Sequence, residues 1–292
     1  MSDDETEDMP QPHSPTARGR KLASDLRRLR ERPDLTTEEA AAQLGDDWSR
    51  YKVSRIEQAK TKPTINGVTA MLDLYGVDSA TRAALIELAK NAWRRGWWED
   101  YNDLFKKPSY VALEDDAARI HEWSPQLIPG LLQTDEYARE VIRTWERGDE
   151  SSVQRRVMAR ITRKALLGRA EPPAPDLTAI VDEAVLRRPI GGVKVMRSQL
   201  HALIDVAERP NVTVRVVPFH IGTHAGLDGP FIVLGFPERI APDVAYVETK
   251  AGATYVESVE SVQRFKLDFE KLKVAALSAE ESVDLIAAIA KE

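Results

Sequence analysis

The chain has 292 residues, 42% hydrophobic and 30% charged, and no cysteine; that is apolar material for about two domains, with no thiol for disulfides, thiolate metal sites, iron–sulfur clusters or cysteine nucleophiles. No run of about 18 apolar residues occurs, and the first residues are acidic instead of basic and apolar, which points to a cytoplasmic protein without a membrane partner. The net charge of −6 is spread unevenly: residues 1–15 carry five acids and no Lys or Arg, whereas residues 16–70 carry twelve basic against eight acidic side chains.

Residues 1–15, with three prolines beside the acids, are expected to form a disordered acidic tail. Residues 16–95 are expected to fold as a five-helix domain. Leu22, Leu26 and Leu29 recur at helical spacing, with Arg27, Arg28, Arg30 and Arg32 on other faces, and Pro33 ends the segment. Thr36 and Glu39 have the spacing of a capping box for a second helix running to Gly45. A third helix spans about Ser49 to Gln58, with Val53 and Ile56 inward. Thr64 caps a fourth that ends near Gly76, and Asp78 caps a fifth that runs toward Trp93.

The stretch from Arg94 through Gly96-Trp97-Trp98 to Pro108 marks a boundary, its aromatics suited to docking one domain on the next. Residues 96–292 are expected to form a second, α+β domain. Residues 110–170 are expected to be helical. Glu171-Pro172-Pro173-Ala174-Pro175 is a stiff spacer, and residues 176–292 mix strands and helices. Strands are expected at Ala179–Val185, Val214–Phe219, Phe231–Phe236 and Val244–Thr249. Helices are expected at Val195–Glu208, Ser258–Leu272 and Ala279–Ala290.

The helix pair over residues 36–58 carries the clearest chemistry. A DNA major groove admits one helix whose outward side chains can pair with base edges. Arg50, Tyr51 and Arg55 suit base contacts; Ser49, Lys52, Ser54, Gln58, Lys60 and Lys62 suit phosphates, which fix register. Solvated charges on an ordinary helical bundle would give the same pattern.

Thr36 to Gly45 followed by Trp48-Ser49-Arg50-Tyr51-Lys52-Val53-Ser54-Arg55-Ile56-Glu57 resembles the helix-turn-helix of XRE-type, phage-repressor-like regulators. That resemblance implies a structural ion pair between Arg30 and Glu57. Two departures stand out: Asp46 and Asp47 lengthen the turn, and Ala59 occupies a position where the family has glycine. Gly96-Trp97-Trp98, Tyr110–Glu114, Pro129–Thr134 with Tyr137-Ala138, Asp182–Arg188 and Gly226–Phe231 are similar to successive signatures of an actinomycete, WhiJ-like group, which joins such a module to a C-terminal antitoxin-like domain. The resemblance covers nearly the whole chain from about residue 18. It implies a transcriptional regulator of double-stranded DNA, of a kind often encoded beside a small acidic BldB-like partner protein; a repressor acting as a homodimer on a pseudo-palindrome is expected because one short helix reads only a few base pairs.

Three readings of the C-terminal half stay open. Leu127, Ile128, Leu131 and Leu132 are apolar enough to be core or a partner groove. His220, His224 and Asp228, with Arg187, could line a small-molecule or partner cleft that tunes DNA affinity. A metal-dependent hydrolase built on His220, His224 and Asp228 is the weakest, because the two histidines flank a strand-to-loop segment instead of sharing a helix face. The loop with Gly222, Gly226 and Gly229 has no nucleotide-binding order and no Gly-x-Ser-x-Gly elbow occurs, so neither an enzyme nor a cofactor is expected.

Overall fold

Five side chains start the first five helices. In the computed structural model, the side-chain oxygens of Thr16, Thr36, Ser49, Thr64 and Asp78 accept backbone N–H groups that the first turn leaves without a partner. The helices are α1 (Ala17–Glu31), α2 (Thr37–Leu44), α3 (Arg50–Glu57), α4 (Ile65–Leu74) and α5 (Ser79–Asn91). The capping box of α2 is complete, Glu39 accepting from the Thr36 N–H at 2.8 Å. The structure describes residues 16–92, 96–101, 103–104, 110–146, 148–237 and 241–292. The tail over 1–15, and Trp93 and Arg94, lie outside them.

The described residues form two compact units, the second made of Trp97–Leu104 and Leu113–Glu292. In the first, Leu22, Leu26 and Leu29 of α1 pack with Val53 and Ile56 of α3 and with Val68, Met71 and Leu72 of α4. The alanines at 40 and 41, both buried, let α2 approach this core closely.

The second unit is built on a six-stranded mixed sheet. Its strands are β1 (Arg119–Ser124), β2 (Asp176–Asp182), β3 (Val212–Val217), β4 (Phe231–Gly235), β5 (Val244–Thr249) and β6 (Gly252–Val256), ordered β3-β2-β1-β4-β5-β6. β1, β2 and β3 pair in parallel, and the β4, β5 and β6 side is antiparallel. Helices α7 (Asp135–Arg143) and α8 (Glu150–Lys164) lie between β1 and β2. Helices α9 (Glu183–Arg187) and α10 (Gly192–Ala207) lie between β2 and β3, and α11 (Val259–Ala275) and α12 (Ala279–Lys291) follow the sheet. Such connections are what parallel neighbours require. Trp123, Ile180, Phe231, Val233 and Ala245 share one face, sealed by Phe269 and Leu272 of α11. A short helix α6 (Tyr110–Asp116) precedes β1.

An N-terminal five-helix part followed by an α+β part is the architecture the sequence predicts. Four details differ. Residues 110–170 are not wholly helical, because Arg119–Ser124 forms the strand between β2 and β4. Six residues are too few for a period to stand out between helical stretches. β2 ends at Asp182, whose carboxylate accepts the Ala184 N–H at 2.8 Å and starts α9, so residues 183–185 leave the sheet. Phe219 falls in a 3-10 turn after β3. β6 was not anticipated, since Gly252-Ala253-Thr254 carries little apolar signal. Trp97 and Trp98 lie in a 3-10 turn, Trp97–Tyr101, of the second unit, packed edge to face with centroids 6.2 Å apart.

Candidate nucleic-acid interface

Period 3.6 places Val53, Ile56 and Glu57 on one side of α3, and all three are buried. Tyr51, Arg55 and Gln58 therefore form the centre of the opposite, exposed side, with Arg50 and Ser54 along one flank and Lys52 on the other. Tyr51 is 67% exposed, unusual for so large a ring. Arg50 lies 4.7 Å from the Tyr51 ring centroid, and its Nη2 donates to the Tyr51 hydroxyl at 2.9 Å. Arg55 Nε donates to Thr61 Oγ1 at 2.9 Å, and Gln58 Nε2 to Ser54 Oγ at 2.9 Å. These contacts hold the side chains outward without covering them. Lys60 and Lys62 are exposed just beyond the helix, and Ser49 caps its start, accepting the Lys52 N–H at 3.2 Å. Gln58, expected just beyond the helix end, is its C-cap residue and is exposed on the same side as Tyr51 and Arg55.

The turn between α2 and α3 shows what the two extra acids do. Gly45 has φ +102°, a conformation that favours glycine, and the chain then closes through Trp48 N–H to Gly45 O at 3.0 Å. Trp48 packs against the core, and Asp46 and Asp47 stay exposed. Lys52 Nζ sits 4.5 Å from the Trp48 ring centroid and donates to Asp47 O at 2.9 Å. The longer turn thus inserts an aromatic anchor beneath the start of α3.

The inner side of α3 is fixed by charge. Arg30 Nε and Nη2 donate to the two Glu57 oxygens, each at 2.8 Å, and Arg30 Nη1 also donates to Leu35 O. Arg30 is 7% exposed, although α1's pattern alone places it outside with its arginine neighbours. The hydrogen bonds to Glu57 raise its pKa further, against the cost of burial. The same field, with burial as the larger cause, pushes the Tyr75 hydroxyl well above its usual value. Ala59 follows α3 with φ +53°, its N–H on Ile56 O at 2.9 Å and the Lys60 N–H on Arg55 O at 2.8 Å. This is the left-handed helix stop that glycine ordinarily supplies.

In the second unit Arg187, His220 and His224 adjoin the Asp182-Glu183 step at the end of β2. Arg187 Nε donates to Glu183 at 2.7 Å and its Nη1 pairs with Glu292 at 3.1 Å. His224 Nδ1 accepts the Gly226 N–H at 3.1 Å, its ring meets Trp123 edge-on, and its Nε2 is 4.0 Å from Asp182. His220 and Asp228 are exposed. Among the described residues no group of three or more His, Asp or Glu is placed to hold a metal ion. Ile128, Leu131 and Leu132 are buried, and Leu127 partly so. Sequence reasoning passed over Glu122, a buried acid of this unit; an acid within the alternation of Arg119–Ser124 was the available signal.

A basic, exposed helix held across a five-residue turn by a capped partner helix defines the helix-turn-helix class of DNA-binding proteins, and residues 21–85 match a family described as a helix-turn-helix domain. Residues 108–288 match a family described as a domain of unknown function, DUF5753, and the chain belongs to that family. No curated protein and no solved structure matches it. Among the described residues no helix is long and apolar enough to cross a membrane.

Proposed function

We propose that the protein is a sequence-specific transcriptional regulator that reads the major groove with α3. The observation that carries this reading is the exposed Tyr51–Arg55–Gln58 face, flanked by cations and held from behind by the Arg30–Glu57 pair. Arg50 and Arg55 have the fork to bind guanine O6 and N7, and the Tyr51 ring supplies apolar contact. Ser49, Lys52, Ser54, Lys60 and Lys62 take phosphates, and Gln58 has the two-sided amide that suits adenine.

An eight-residue helix is about 12 Å long and spans only a few base pairs. We therefore infer a homodimer on a pseudo-palindromic operator, with half-sites about one or two helical turns apart. The resemblance to WhiJ-like actinomycete regulators supports a repressor whose C-terminal unit mediates dimerisation and answers a small acidic BldB-like protein. Selection from a random DNA pool with the full chain tests the reading. It predicts an enriched site with two-fold symmetry and an affinity that falls steeply with salt; a pool that never enriches contradicts it.

A further inference from the structure

Helix α11 carries apolar side chains on both of its sides. Val262, Phe269 and Leu272 are buried with the sheet residues they seal, while Val259, Leu267 and Val274 are 80%, 52% and 88% exposed. At about 100° per residue these three and Gln263 fall within an arc of about 80° on the outer side of the helix. The other exposed large apolar side chains of this unit stand singly on separate elements. Single exposed apolar residues are ordinary, whereas a row of them marks an interaction surface, and a helix that is apolar on two sides is one that becomes covered on both.

One flank of that row is charged with alternating sign: Glu260, Arg264, Asp268 and Lys271 follow in that order within an arc of about 80°. Along the helix Arg264 pairs with Glu260 at 2.9 Å and Lys271 with Asp268 at 2.8 Å, and exposed pairs of this kind contribute little by themselves. In an antiparallel two-fold pair of helices each flank meets the same flank of the copy. The order acid, base, acid, base is complementary to its own reversal. With a two-fold axis beside Lys266, Glu260 faces the partner's Lys271 and Arg264 faces the partner's Asp268. The same register sets Val259 against the partner's Val274, Gln263 against the partner's Glu270, and the two Leu267 side chains against each other at the axis.

We propose that the outer face of α11 is a homodimer interface, on which a second copy of this chain seats its own α11 antiparallel about Leu267. The apolar row supplies the dry centre and the charged flank fixes orientation and register. A charge order that complements its own reversal is what a second copy requires; a partner of another sequence does not require it. The proposal rests on the homodimer reading and deepens it by giving the dimer a defined face in the second unit.

The test is sedimentation of the full chain over a range of concentrations, without DNA. The wild-type chain is expected to be a dimer. Leu267→Glu, which sets two carboxylates at the axis, and Arg264→Glu, which sets like charges together on both sides of it, should each weaken dimerisation by about tenfold or more. Arg264→Glu combined with Asp268→Arg should restore it, because the exchanged pair is complementary again. None of these positions is buried, so circular dichroism should show an unchanged fold. Because the chain has no cysteine, Val259→Cys and Val274→Cys report the register. A mixture of the two chains is expected to cross-link with a short bis-maleimide, and neither chain alone, since equal residues lie more than about 20 Å apart along the antiparallel pair. Cross-linking of either chain alone, no cross-linking in the mixture, a dimer undiminished in Leu267→Glu, or a double substitution that does not restore what Arg264→Glu loses overturns the interface and leaves the homodimer reading standing. A monomeric wild-type chain also overturns the interface; the homodimer reading falls only if the selected DNA lacks two-fold symmetry as well.

Discussion

Arg30 of α1 and Glu57 at the end of α3 form a buried bidentate pair, both bonds 2.8 Å, that ties the outward-facing helix to the first helix of the fold. Breaking such a pair from one side leaves the other charge buried and uncompensated, at a cost of about 3–5 kcal/mol. Glu57→Ala is expected to lower the unfolding free energy by that amount in urea titration. Replacing both, Arg30→Met with Glu57→Leu, should recover most of it. A single substitution costing under about 1 kcal/mol contradicts the role assigned to the pair.

Ala59 holds a left-handed backbone at φ +53° where its methyl group is a liability. Ala59→Gly relieves a strain of about 1–2 kcal/mol, offset in part by the greater freedom of glycine in the unfolded chain. The expected gain is about 0.5 kcal/mol, read as a rise of a few degrees in melting temperature. A fall would mean that the buried methyl contributes more than the backbone loses.

Trp123 and Gly226 offer the opposite case. The indole Nε1 donates to Gly226 O at 2.9 Å, and a Cβ on Gly226 would lie 2.4 Å from the ring. Trp123 is fully buried among aromatic and aliphatic neighbours and has no room to retreat. Gly226→Ala is expected to destabilise the second unit by about 1–3 kcal/mol or more, with a changed tryptophan near-UV signal. Unchanged stability and spectrum contradict the contact.

Glu122 makes stability depend on pH. Its folded pKa, about 7, lies above the ordinary 4.5, so the folded chain binds more protons than the unfolded chain between those values. Stability is therefore full below about pH 4.5 for this group and is lost as pH rises through 7, by on the order of 3 kcal/mol. Glu122→Gln should flatten the curve between pH 5 and 8. An unaltered slope would assign the dependence to other groups.

The first unit was legible because its signals are local. Thr36 with Glu39, Ser49, Thr64 and Asp78 announce helix starts within three or four residues, and the Leu22–Leu26–Leu29 spacing names the core. The burial of Arg30 was invisible to α1's periodicity, since its partner lies 27 positions away. In the second unit β1 was missed because its place in the sheet depends on β2 and β4, far along the chain. Glu122 was overlooked with it, and the interest of an acid in a strand becomes visible only once its neighbours are known. The His220–His224 spacing drew attention that the fold does not repay: one ring is exposed, and the other is packed on Trp123.

The central claim, that α3 reads bases, is tested most directly by comparing Arg55→Ala with Lys60→Ala on a selected DNA site and on a scrambled one, across a salt series. The account predicts that Arg55→Ala weakens the selected site by about 1–3 kcal/mol and scarcely affects the scrambled one. Lys60→Ala should weaken both alike and reduce the salt slope by about one. Equal losses on both DNAs for Arg55→Ala, or a wild-type chain that binds the two with the same affinity, would contradict it.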